Sequence, residues 1–443
     1  MLVVAVSLVL ILFVQLYWII GETKQNLFLL TGCLLFGLWL LPTTMAIAIL
    51  LSLFVYFVLL KGARLPTWIV AVICLLPLVA IKIFPTSINN VNLIGLSYFS
   101  FLLLGAFLDL RRTPIEALMR PSNFFCLVAF VPIFPAGPIE RVGNLGRQLL
   151  VPRKWQWSNF TTGVLLIALG IFKKVVIADR LAELAADTDR HSLEYFGARM
   201  WAFALLALLQ VFADFSSIVD IVRGSARLLG FNLVDNFNRP YMAESIQDIW
   251  RRWHISLVSW LRDFVYTPVA LKTRSVMTAS AAVMFVIGMW HEASWRFGLW
   301  SVYWISVLWI AVLLRKNGIR IAVPAILKRL AMILVMAVST IFIMPSSFDE
   351  VLILAGNFFR FSGALSKDLN ISSAALSTAV LGFGVVMAVD FFAEKLKISY
   401  RTSGGSNESR RFHIGLLLLA TFLLIFSVAL AIGRWEKFIY LRY

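Results

Sequence analysis

The chain of 443 residues is 60% hydrophobic and only 14% charged. Soluble domains carry about 25% charged residues, so this chain lacks the polar side chains that water-exposed domains of its length would need. The composition therefore indicates an integral membrane protein and excludes disordered, collagen-like, coiled-coil and disulfide-scaffold classes.

The excess of positive charge has a simple interpretation in a membrane protein. The chain has 40 Lys and Arg against 23 Asp and Glu, which gives a net charge of +17. Such side chains collect in loops and at helix ends, where they face anionic lipid headgroups. No basic run interleaved with aromatic residues forms a separable domain, so we expect no nucleic-acid partner.

The cysteines and the N-terminus add little chemistry. Cys33, Cys74 and Cys126 each lie in apolar sequence, without metal-ligand spacing or a close pair. We expect three small buried hydrophobic side chains, with no disulfide and no metal site. The N-terminal segment lacks the basic start and the cleavage site of a signal peptide, which favours a retained first span.

Apolar segments that are long enough to cross a bilayer occur along the whole chain. A spanning helix needs about 20 largely apolar residues. Such segments are predicted at 2–20, 25–60 (two spans that separate at Pro42), 67–84, 91–108, 161–178, 200–218, 276–290, 297–314, 330–344, 374–392 and 414–432. Residues 124–134 are too short to cross and predict a re-entrant segment. The sequence thus predicts an all-α polytopic membrane protein with about 10–12 transmembrane helices plus interfacial and re-entrant helices.

Histidines are scarce, and two of the four lie beside apolar spans, where ionisable residues are functional candidates. His254 follows Ser245 and Asp248, which resemble a helix capping box. The spacing of tryptophan and leucine around it predicts one continuous interfacial amphipathic helix, with tryptophan and arginine anchors at the headgroups. His254 lies at the edge of the apolar stripe, where a hydrogen-bonded structural role and a functional role fit equally.

His291 ends an apolar span, between Trp290 and Glu292. The sequence HEASW lacks the second histidine of a zinc-binding HExxH helix, which excludes a metalloprotease of that type. A buried histidine is costly unless it is paired or used, so the residue chemistry slightly favours function. His191 and His413 lie in charged, loop-like sequence, and we expect both to be solvated.

Other charged residues interrupt apolar sequence in the middle of the chain. Asp214 and Asp220 lie in one apolar run, where ion pairing is a simpler explanation than substrate contact. On a continuous helix Asp220 would face Arg223 and Arg227. Lys173 and Lys174 interrupt another span. Snorkelling of these lysines to the interface is favoured over binding the phosphates of an acyl carrier.

Glu140 and Arg141 follow two prolines and a glycine in the sequence PAGPIER. Irregular backbone at membrane depth is tolerated only where it is buried in protein or lines a cavity. A plain loop is the alternative, and it is a strong one. No GxxxxGK[ST] sequence occurs, so a P-loop nucleotide site is not supported.

Seven segments, in order along the chain, resemble the motifs of the membrane-bound O-acyltransferase family. They are LIGLSYFSFLLLGAFLDLRR (93–112), AGPIER (136–141), GIFKKVVIADRLA (170–182), FADFSSIVDIVRGSARLLGF (212–231), NFNRPYMAESIQDIWRRWHISLVSWLRDFVYTP (236–268), GMWHEASW (288–295) and FIYLRY (438–443). The similarity is closest to the bacterial branch that includes the alginate O-acetyltransferase membrane component and the D-alanine transferase of teichoic acids. It predicts a single membrane-embedded domain over 1–443, with a motif-bearing core at about 93–305 and peripheral spans at 1–90 and 325–443.

The resemblance implies an O-acyltransferase whose helices surround a central funnel or tunnel. An acyl group, acetyl in this branch, would pass from a cytoplasmic thioester such as acetyl-CoA to a hydroxyl, with no bound cofactor or metal. His291 matches the family's active-site histidine, and would take the hydroxyl proton and return it to the leaving thiol. His254 matches the second histidine and would orient a substrate or support His291.

The resemblance also implies binding residues, partners and a location. Substrate-binding candidates are the charged and aromatic residues beside the two histidines and in the other motifs: Asp214, Arg252, Trp253, Trp290, Lys173, Lys174, Glu140 and Arg141. The chain would lie in a bacterial inner membrane as a multi-pass protein. It would serve a cell-envelope or exported polysaccharide through a separate extracytoplasmic acyltransferase.

Several positions differ from the family pattern, and two other functions remain open. Glu292 replaces a small residue, Trp304 stands at a histidine position, and DFSSIVD lacks the Gly and Tyr of DFSGYSD. The alternatives are a transporter or flippase for a lipid-linked or small polar substrate, and a non-catalytic scaffold of a polysaccharide secretion complex. The two histidines, together with the lack of an internal repeat, favour the acyltransferase.

Overall fold

The structure, a computed structural model, is helical. It describes residues 2–62, 65–83, 95–134, 136–182, 197–319, 323–343, 347–360, 380–381, 383–388, 391 and 407–431. Within these residues the one extended pairing is an isolated antiparallel bridge between Phe237 and Trp253. The predicted all-α polytopic class is confirmed. Most of the predicted span 374–392, together with Pro135, His191 and the motif at 438–443, lies outside the described residues.

The principal helices follow the apolar segments of the sequence. In chain order they are α1 (Leu2–Ile19), α2 (Gln25–Leu40), α3 (Pro42–Leu60), α4 (Thr67–Ile83), α5 (Leu96–Arg112), α6 (Pro121–Val128), α7 (Trp157–Phe172), α8 (Ala198–Leu228), α9 (Ile246–Arg252), α10 (Ile255–Leu261), α11 (Thr267–Thr273), α12 (Val276–His291), α13 (Trp295–Lys316), α14 (Ala325–Ser339), α15 (Phe348–Asn357) and α16 (Asn407–Ala431). Pro42 separates α2 from α3 as predicted, because proline is tolerated in the first turn of a helix and disrupts its interior.

Five helices in the described part of the chain are long and apolar enough to cross a membrane. They are Pro42–Leu60, Trp157–Ala182, Arg199–Leu228, Trp295–Lys316 and Ala325–Phe342. Shorter apolar helices lie at Thr67–Ala80, Val276–His291 and Phe412–Val428. The protein is therefore a multi-pass membrane protein, while the total of about 10–12 crossings stays a prediction.

The chain divides into two compact units. The first comprises Met1–Ala168, Ile218–Val234 and Asn407–Phe422, and the second comprises Leu169–Ser217, Asp235–Ser406 and Leu423–Tyr443. In the first unit, α3, α4 and α5 pack against one another. Two glycines in this unit meet where α7 crosses the last turns of α8. A Cβ on Gly163 would lie 2.9 Å from the Gly224 carbonyl oxygen, so the crossing depends on small residues that let backbones approach closely.

His413 belongs to the first unit and is not solvated. The charged sequence before it is part of α16, which begins at Asn407, where sequence alone predicted a loop. The His413 side chain is only 5% exposed, and its Nδ1 lies 2.9 Å from the Thr161 Oγ1 of α7. The prediction of a solvated histidine was wrong because the helix continues through the charged residues and brings His413 against α7.

In the second unit, α12 and α13 form an antiparallel hairpin with very close backbones. The Trp309 indole N–H donates to the Met277 carbonyl at 3.0 Å, and Ser301 Oγ donates to the Met284 carbonyl at 3.1 Å. A Cβ on Gly288 would lie 2.0 Å from Ser301 Oγ. Glycine at 288 therefore sets the approach of the two helices, three residues before His291.

Helix α8 is longer than the predicted span 200–218, which ended where charged residues begin. In the structure the helix continues to Leu228, and Asp220 is buried within the protein. A helix that packs against protein can carry charges that a lipid-facing helix could not. Cys33, Cys74 and Cys126 are buried, as predicted.

Candidate active site

The chain around His254 does not form the continuous amphipathic helix that its spacing predicts. Ser245 caps α9 as the capping-box pattern indicates, accepting a hydrogen bond from the Asp248 N–H at 3.2 Å. However, α9 ends at Arg252 and α10 begins at Ile255. His254 lies between the two helices with φ 47° and ψ 49°. This is the left-handed region that residues other than glycine seldom adopt.

The segment 236–238 explains the break, because it supplies hydrogen bonds that a continuous helix would have made internally. The Asn236 carbonyl accepts from the Ile255 N–H at 3.0 Å, and its Oδ1 accepts from the Ser256 N–H at 3.2 Å. On the other side of the break, the Asn238 N–H donates to the Arg252 carbonyl at 3.0 Å. These bonds hold His254 in a strained conformation, and such strain clusters at functional sites.

The apolar stripe of this segment faces protein. Trp250, Leu257, Trp260 and Leu261 are all buried. The prediction that the tryptophans anchor an interfacial helix at the headgroups was therefore wrong for Trp250 and Trp260. Hydrophobic periodicity identifies the side of a helix that is covered, and it does not distinguish a cover of lipid from a cover of protein.

His254 is buried among aromatic rings. Its side chain is 3% exposed, and its ring centroid lies 4.8 Å from that of Phe215 and 5.7 Å from that of Trp290. Burial, together with the neighbouring His291, holds the pKa of His254 well below its ordinary value. His254 is therefore a neutral imidazole at physiological pH, which can orient a polar group by hydrogen bonding without adding a charge.

His291 is the last residue of α12 and contacts the same tryptophan. Its ring centroid is 4.8 Å from that of Trp290 and 5.4 Å from that of Phe297, with which it stacks. In contrast to His254, it is only half-buried. The structure thus brings the two predicted histidines to one place, where both rings contact Trp290, and it leaves His291 the more accessible of the two.

Three tryptophans extend the site along α13, and we call Trp250, Trp300 and Trp304 the indole cluster. The Trp300 ring centroid lies 6.1 Å from that of His291. The Trp250 ring packs edge to face against Trp304 at 4.8 Å and against Trp300 at 6.1 Å. Trp304, which differs from the family pattern, is thus part of a packed aromatic cluster beside the histidines. The sequence alone does not connect Trp250 with this site, because α9 and α13 are distant in the chain.

Glu292, which also differs from the family pattern, forms an ion pair with Arg296 in the first turn of α13. Both of its carboxylate oxygens accept from Arg296 Nη2, at 2.9 and 3.0 Å. The pair is partly exposed. A nearby guanidinium offsets the negative charge that Glu292 brings to the end of α12.

The lysine pair of the predicted binding residues is buried in the second unit. Lys174 Nζ lies 2.8 Å from an oxygen of Asp214 and 2.8 Å from one of Asp179. Lys173 is also buried, with its Nζ 6.0 Å from the centroid of the Phe212 ring. The prediction that both lysines snorkel to the membrane interface was wrong, because both side chains are buried in protein. Ion pairing was the favoured explanation for Asp214, and its partner is Lys174.

Arg252 and Trp253, two further candidates, flank the chain break. Arg252 Nε donates to Asp248 Oδ2 at 3.0 Å within α9. The Trp253 ring packs against Phe237 at 5.2 Å and Phe212 at 6.0 Å between ring centroids. Both side chains are partly exposed, and their role in substrate binding stays a prediction.

Glu140 and Arg141 lie in the first unit, where both make internal contacts. Glu140 is fully buried and accepts from the Val234 N–H at 2.7 Å and from Asn144 Nδ2 at 2.8 Å. Arg141 forms a bidentate pair with Asp109, at 2.8 and 2.6 Å. Burial raises the pKa of Glu140 to about 7, although the hydrogen bonds that Glu140 accepts and the positive charge of Arg223 both act to lower it. Within the described residues, no cluster of three His, Cys, Asp or Glu side chains is arranged to hold a metal ion.

The arrangement defines a class of protein: a multi-pass helical membrane protein in which a buried neutral histidine and a more accessible one contact the same tryptophan. The family model of the MBOAT, membrane-bound O-acyltransferase family matches residues 6–348. The chain therefore belongs to the membrane-bound O-acyltransferase family and is an O-acyltransferase.

Individual relatives differ in the molecule they modify. A probable alginate O-acetylase of Azotobacter vinelandii is 29% identical over 422 residues, covering 87% of this chain and 84% of that protein. A peptidoglycan O-acetyltransferase of Helicobacter pylori is 32% identical over 42% of this chain and 36% of that protein. A teichoic acid D-alanyltransferase of Streptococcus thermophilus is 27% identical over 50% of this chain and 58% of that protein.

Proposed function

We propose that this protein moves an acetyl group from a cytoplasmic thioester such as acetyl-CoA across the inner membrane, for O-acylation of a cell-envelope or exported polysaccharide. The observation that carries the proposal is the placement of His254, Trp290 and His291 in one cluster. The names of the relatives above support a polysaccharide or cell-wall acceptor.

The proposed reaction gives each histidine a defined task. The oxygen of the acceptor hydroxyl attacks the thioester carbonyl while the accessible imidazole of His291 takes the hydroxyl proton. The new carbon–oxygen bond forms, the carbon–sulfur bond breaks, and the imidazolium returns the proton to the leaving thiolate. The neutral His254, held by its hydrogen-bonded backbone, orients the acceptor or supports His291.

The position of His291 along its helix fits transfer across a membrane. The hairpin of α12 and α13 carries Arg274, Arg315 and Lys316 at one end, and His291 lies at the other end of the 16-residue α12. At 1.5 Å per residue this separates His291 from the basic end by about 24 Å. Basic residues mark the cytoplasmic ends of spanning helices, so an acyl group that reaches His291 has crossed most of the bilayer.

The departures from the family pattern do not favour a non-catalytic scaffold. The Glu292 carboxylate is paired with Arg296, and Trp304 packs within the indole cluster without displacing the histidines. In the proposed pathway a separate extracytoplasmic acyltransferase completes delivery to the polysaccharide. The roles of Lys173, Lys174, Asp214, Arg252, Trp253, Glu140 and Arg141 in substrate binding remain predictions.

Deletion of the gene, followed by complementation, tests this function in cells. The amount of alkali-labile acetyl ester in purified polysaccharide fractions should fall on deletion and return with the wild-type gene. The His291→Ala variant should not restore it, at equal membrane abundance. Full restoration by that variant would contradict the catalytic role, and loss of polysaccharide export with normal acetyl content would point to the transporter alternative.

A further inference from the structure

Two buried hydrogen-bond donors in the indole cluster have no acceptor within the described part of the chain. They are the indole nitrogens of Trp250 and Trp304. The two side chains are 8% and 3% exposed, respectively. Trp304 belongs to a helix that is long and apolar enough to span the membrane. A buried donor without an acceptor has lost its hydrogen bonds to water and gained none in return, so two of them in one cluster indicate that an acceptor arrives with a ligand.

The packing of the two rings does not satisfy both donors. The Trp250 and Trp304 planes cross at 72° with their centroids 4.8 Å apart. In an edge-to-face pair, the edge of one ring points at the face of the other. An indole N–H that points at a ring face makes only a weak contact, so packing within the cluster does not replace a hydrogen bond to an oxygen. Both donors therefore remain able to take an oxygen acceptor.

The position of the pair along the hairpin indicates which substrate it meets. Trp304 lies one turn beyond Trp300 in α13, in the direction of Arg315 and Lys316 and away from His291. A donor that enters at the basic end and reaches His291 would pass Trp304 before it reaches Trp300. An acceptor that approaches from the opposite end would meet His291 first.

We propose that the indole N–H groups of Trp250 and Trp304 bind a carbonyl oxygen of the acyl donor on its way to His291. This inference rests on the proposed function. An indole N–H is an uncharged donor with no acceptor capacity, which suits a neutral carbonyl oxygen in a site of low dielectric. The carbonyl can be that of the thioester itself, where negative charge develops during attack, or an amide of the carrier arm.

Binding measurements on the full-length protein in lipid nanodiscs test the proposal. The dissociation constants of acetyl-CoA and of CoA are measured for wild type, Trp250→Phe, Trp304→Phe and the double variant. Phenylalanine keeps an aromatic ring and removes the N–H. Trp260→Phe is the control, since Trp260 is also buried but lies outside the cluster. Loss of one such hydrogen bond should weaken acetyl-CoA binding roughly 3- to 10-fold, and the double variant should be weaker still.

The two ligands identify which carbonyl is bound. Weakened binding of acetyl-CoA with unchanged binding of CoA assigns the thioester carbonyl, and weakened binding of both assigns an arm amide. Either result supports the proposal. Unchanged affinity for both ligands in folded Trp250→Phe and Trp304→Phe overturns it, as does an equal loss in Trp260→Phe.

A second measurement does not depend on the variants folding. In wild-type protein with ¹⁵N-labelled indoles, saturating acetyl-CoA should move up to two of the fifteen tryptophan N–H signals downfield. Absence of any downfield shift at saturation overturns the proposal. A wild-type protein that transfers acetyl while its indole signals stay fixed rejects this inference alone. A wild-type protein that neither binds nor transfers acetyl from acetyl-CoA rejects the proposed function, and the inference with it.

Discussion

At the scale of single residues, the backbone conformation of His254 shows how the site is held. Three described residues other than glycine have positive φ, and one of them is His254, between two short helices. Its neighbours Ile255 and Ser256 are hydrogen-bonded to Asn236, so the conformation is fixed from outside the histidine. The backbone contacts therefore fix where the His254 side chain lies, and the imidazole itself is the part available for chemistry.

Substitutions of His254 can separate these two contributions. Asparagine adopts the left-handed conformation several-fold more readily than most residues, whereas alanine pays about 1–2 kcal/mol there. We expect His254→Asn to keep near-normal thermal stability and His254→Ala to be less stable, with acyl transfer strongly reduced in both. Thermal unfolding in detergent and a transfer assay measure the two effects. Full activity of the asparagine variant would show that the imidazole is dispensable.

The raised pKa of Glu140 gives a pH dependence of stability with a definite sign. Because its folded pKa is about 7, against an ordinary value of 4.5, the folded state binds more protons than the unfolded state between these values. Stability from this group is therefore full below pH 4.5 and is lost as the pH rises toward 7.

Glu140→Gln removes this titration and keeps the shape of the side chain. The thermal midpoint of wild type should fall between pH 5 and pH 8 by more than that of Glu140→Gln, measured in detergent over a pH series. Glu22→Gln, at an exposed position, is the control and should follow the wild-type curve. Parallel curves for wild type and Glu140→Gln would show that the carboxyl group of Glu140 is ionised throughout.

Single residues of the site could be predicted from the sequence where the residue type is rare or where its effect is local. His254 and His291 stood out because the chain has only four histidines. Asn236 and Trp250 did not, because their importance depends on contacts with distant residues. No periodicity in sequence reports that the Asn236 backbone pairs with Ile255, or that Trp250 packs on Trp304.

At the scale of helices, proline and glycine positions decide how elements end and pack. The boundary between α2 and α3 was predicted at Pro42, since proline acts locally. The break at His254 was missed, since no proline or glycine marks it. The extension of α8 to Leu228 was missed because burial in protein overrides the cost of charged residues.

The close packing of α12 on α13 predicts the effect of adding one methyl group. A Cβ on Gly288 would lie 2.7 Å from the Phe297 carbonyl oxygen as well as close to Ser301. We expect Gly288→Ala to force the helices apart, to cost about 1–3 kcal/mol, and to reduce transfer by displacing His291. The thermal midpoint and the transfer rate are the measurements.

Gly298 provides a matched control on the same hairpin, since a Cβ there has no neighbour within 4 Å. Gly298→Ala should be as stable as wild type or slightly more stable, because alanine favours helix. Equal stability of the two alanine variants would contradict the role assigned to Gly288.

At the scale of the whole molecule, helix pairing decides which basic residues lie at the same end of the α12–α13 hairpin. Its antiparallel contacts place Arg274, Arg315 and Lys316 at one end and His291 at the other. Counting basic residues along the chain could not show which loops share an end, since that depends on which helices pair. The predicted funnel or tunnel and the single-domain organisation remain predictions.

Cysteine labelling of intact cells tests this orientation. Lys316→Cys and Ala293→Cys place a thiol at exposed positions at the two ends of the hairpin, and the native cysteines are buried. The proposed orientation, with the basic end in the cytoplasm, predicts that an impermeant maleimide labels Ala293→Cys in intact cells and Lys316→Cys only after permeabilisation. The reverse pattern would place His291 on the cytoplasmic side.

The most direct test of the central claim, that His291 is the base in acyl transfer, uses purified protein in proteoliposomes. Radiolabelled acetyl-CoA is supplied at the cytoplasmic face, and the separate acyltransferase with its polysaccharide is supplied at the other face. The acetyl ester formed on the polysaccharide is counted. His291→Ala should lose at least about 100-fold in rate. His413→Gln, a histidine variant outside the histidine cluster, should stay close to the wild-type rate. Transfer by folded His291→Ala at the wild-type rate would contradict the account.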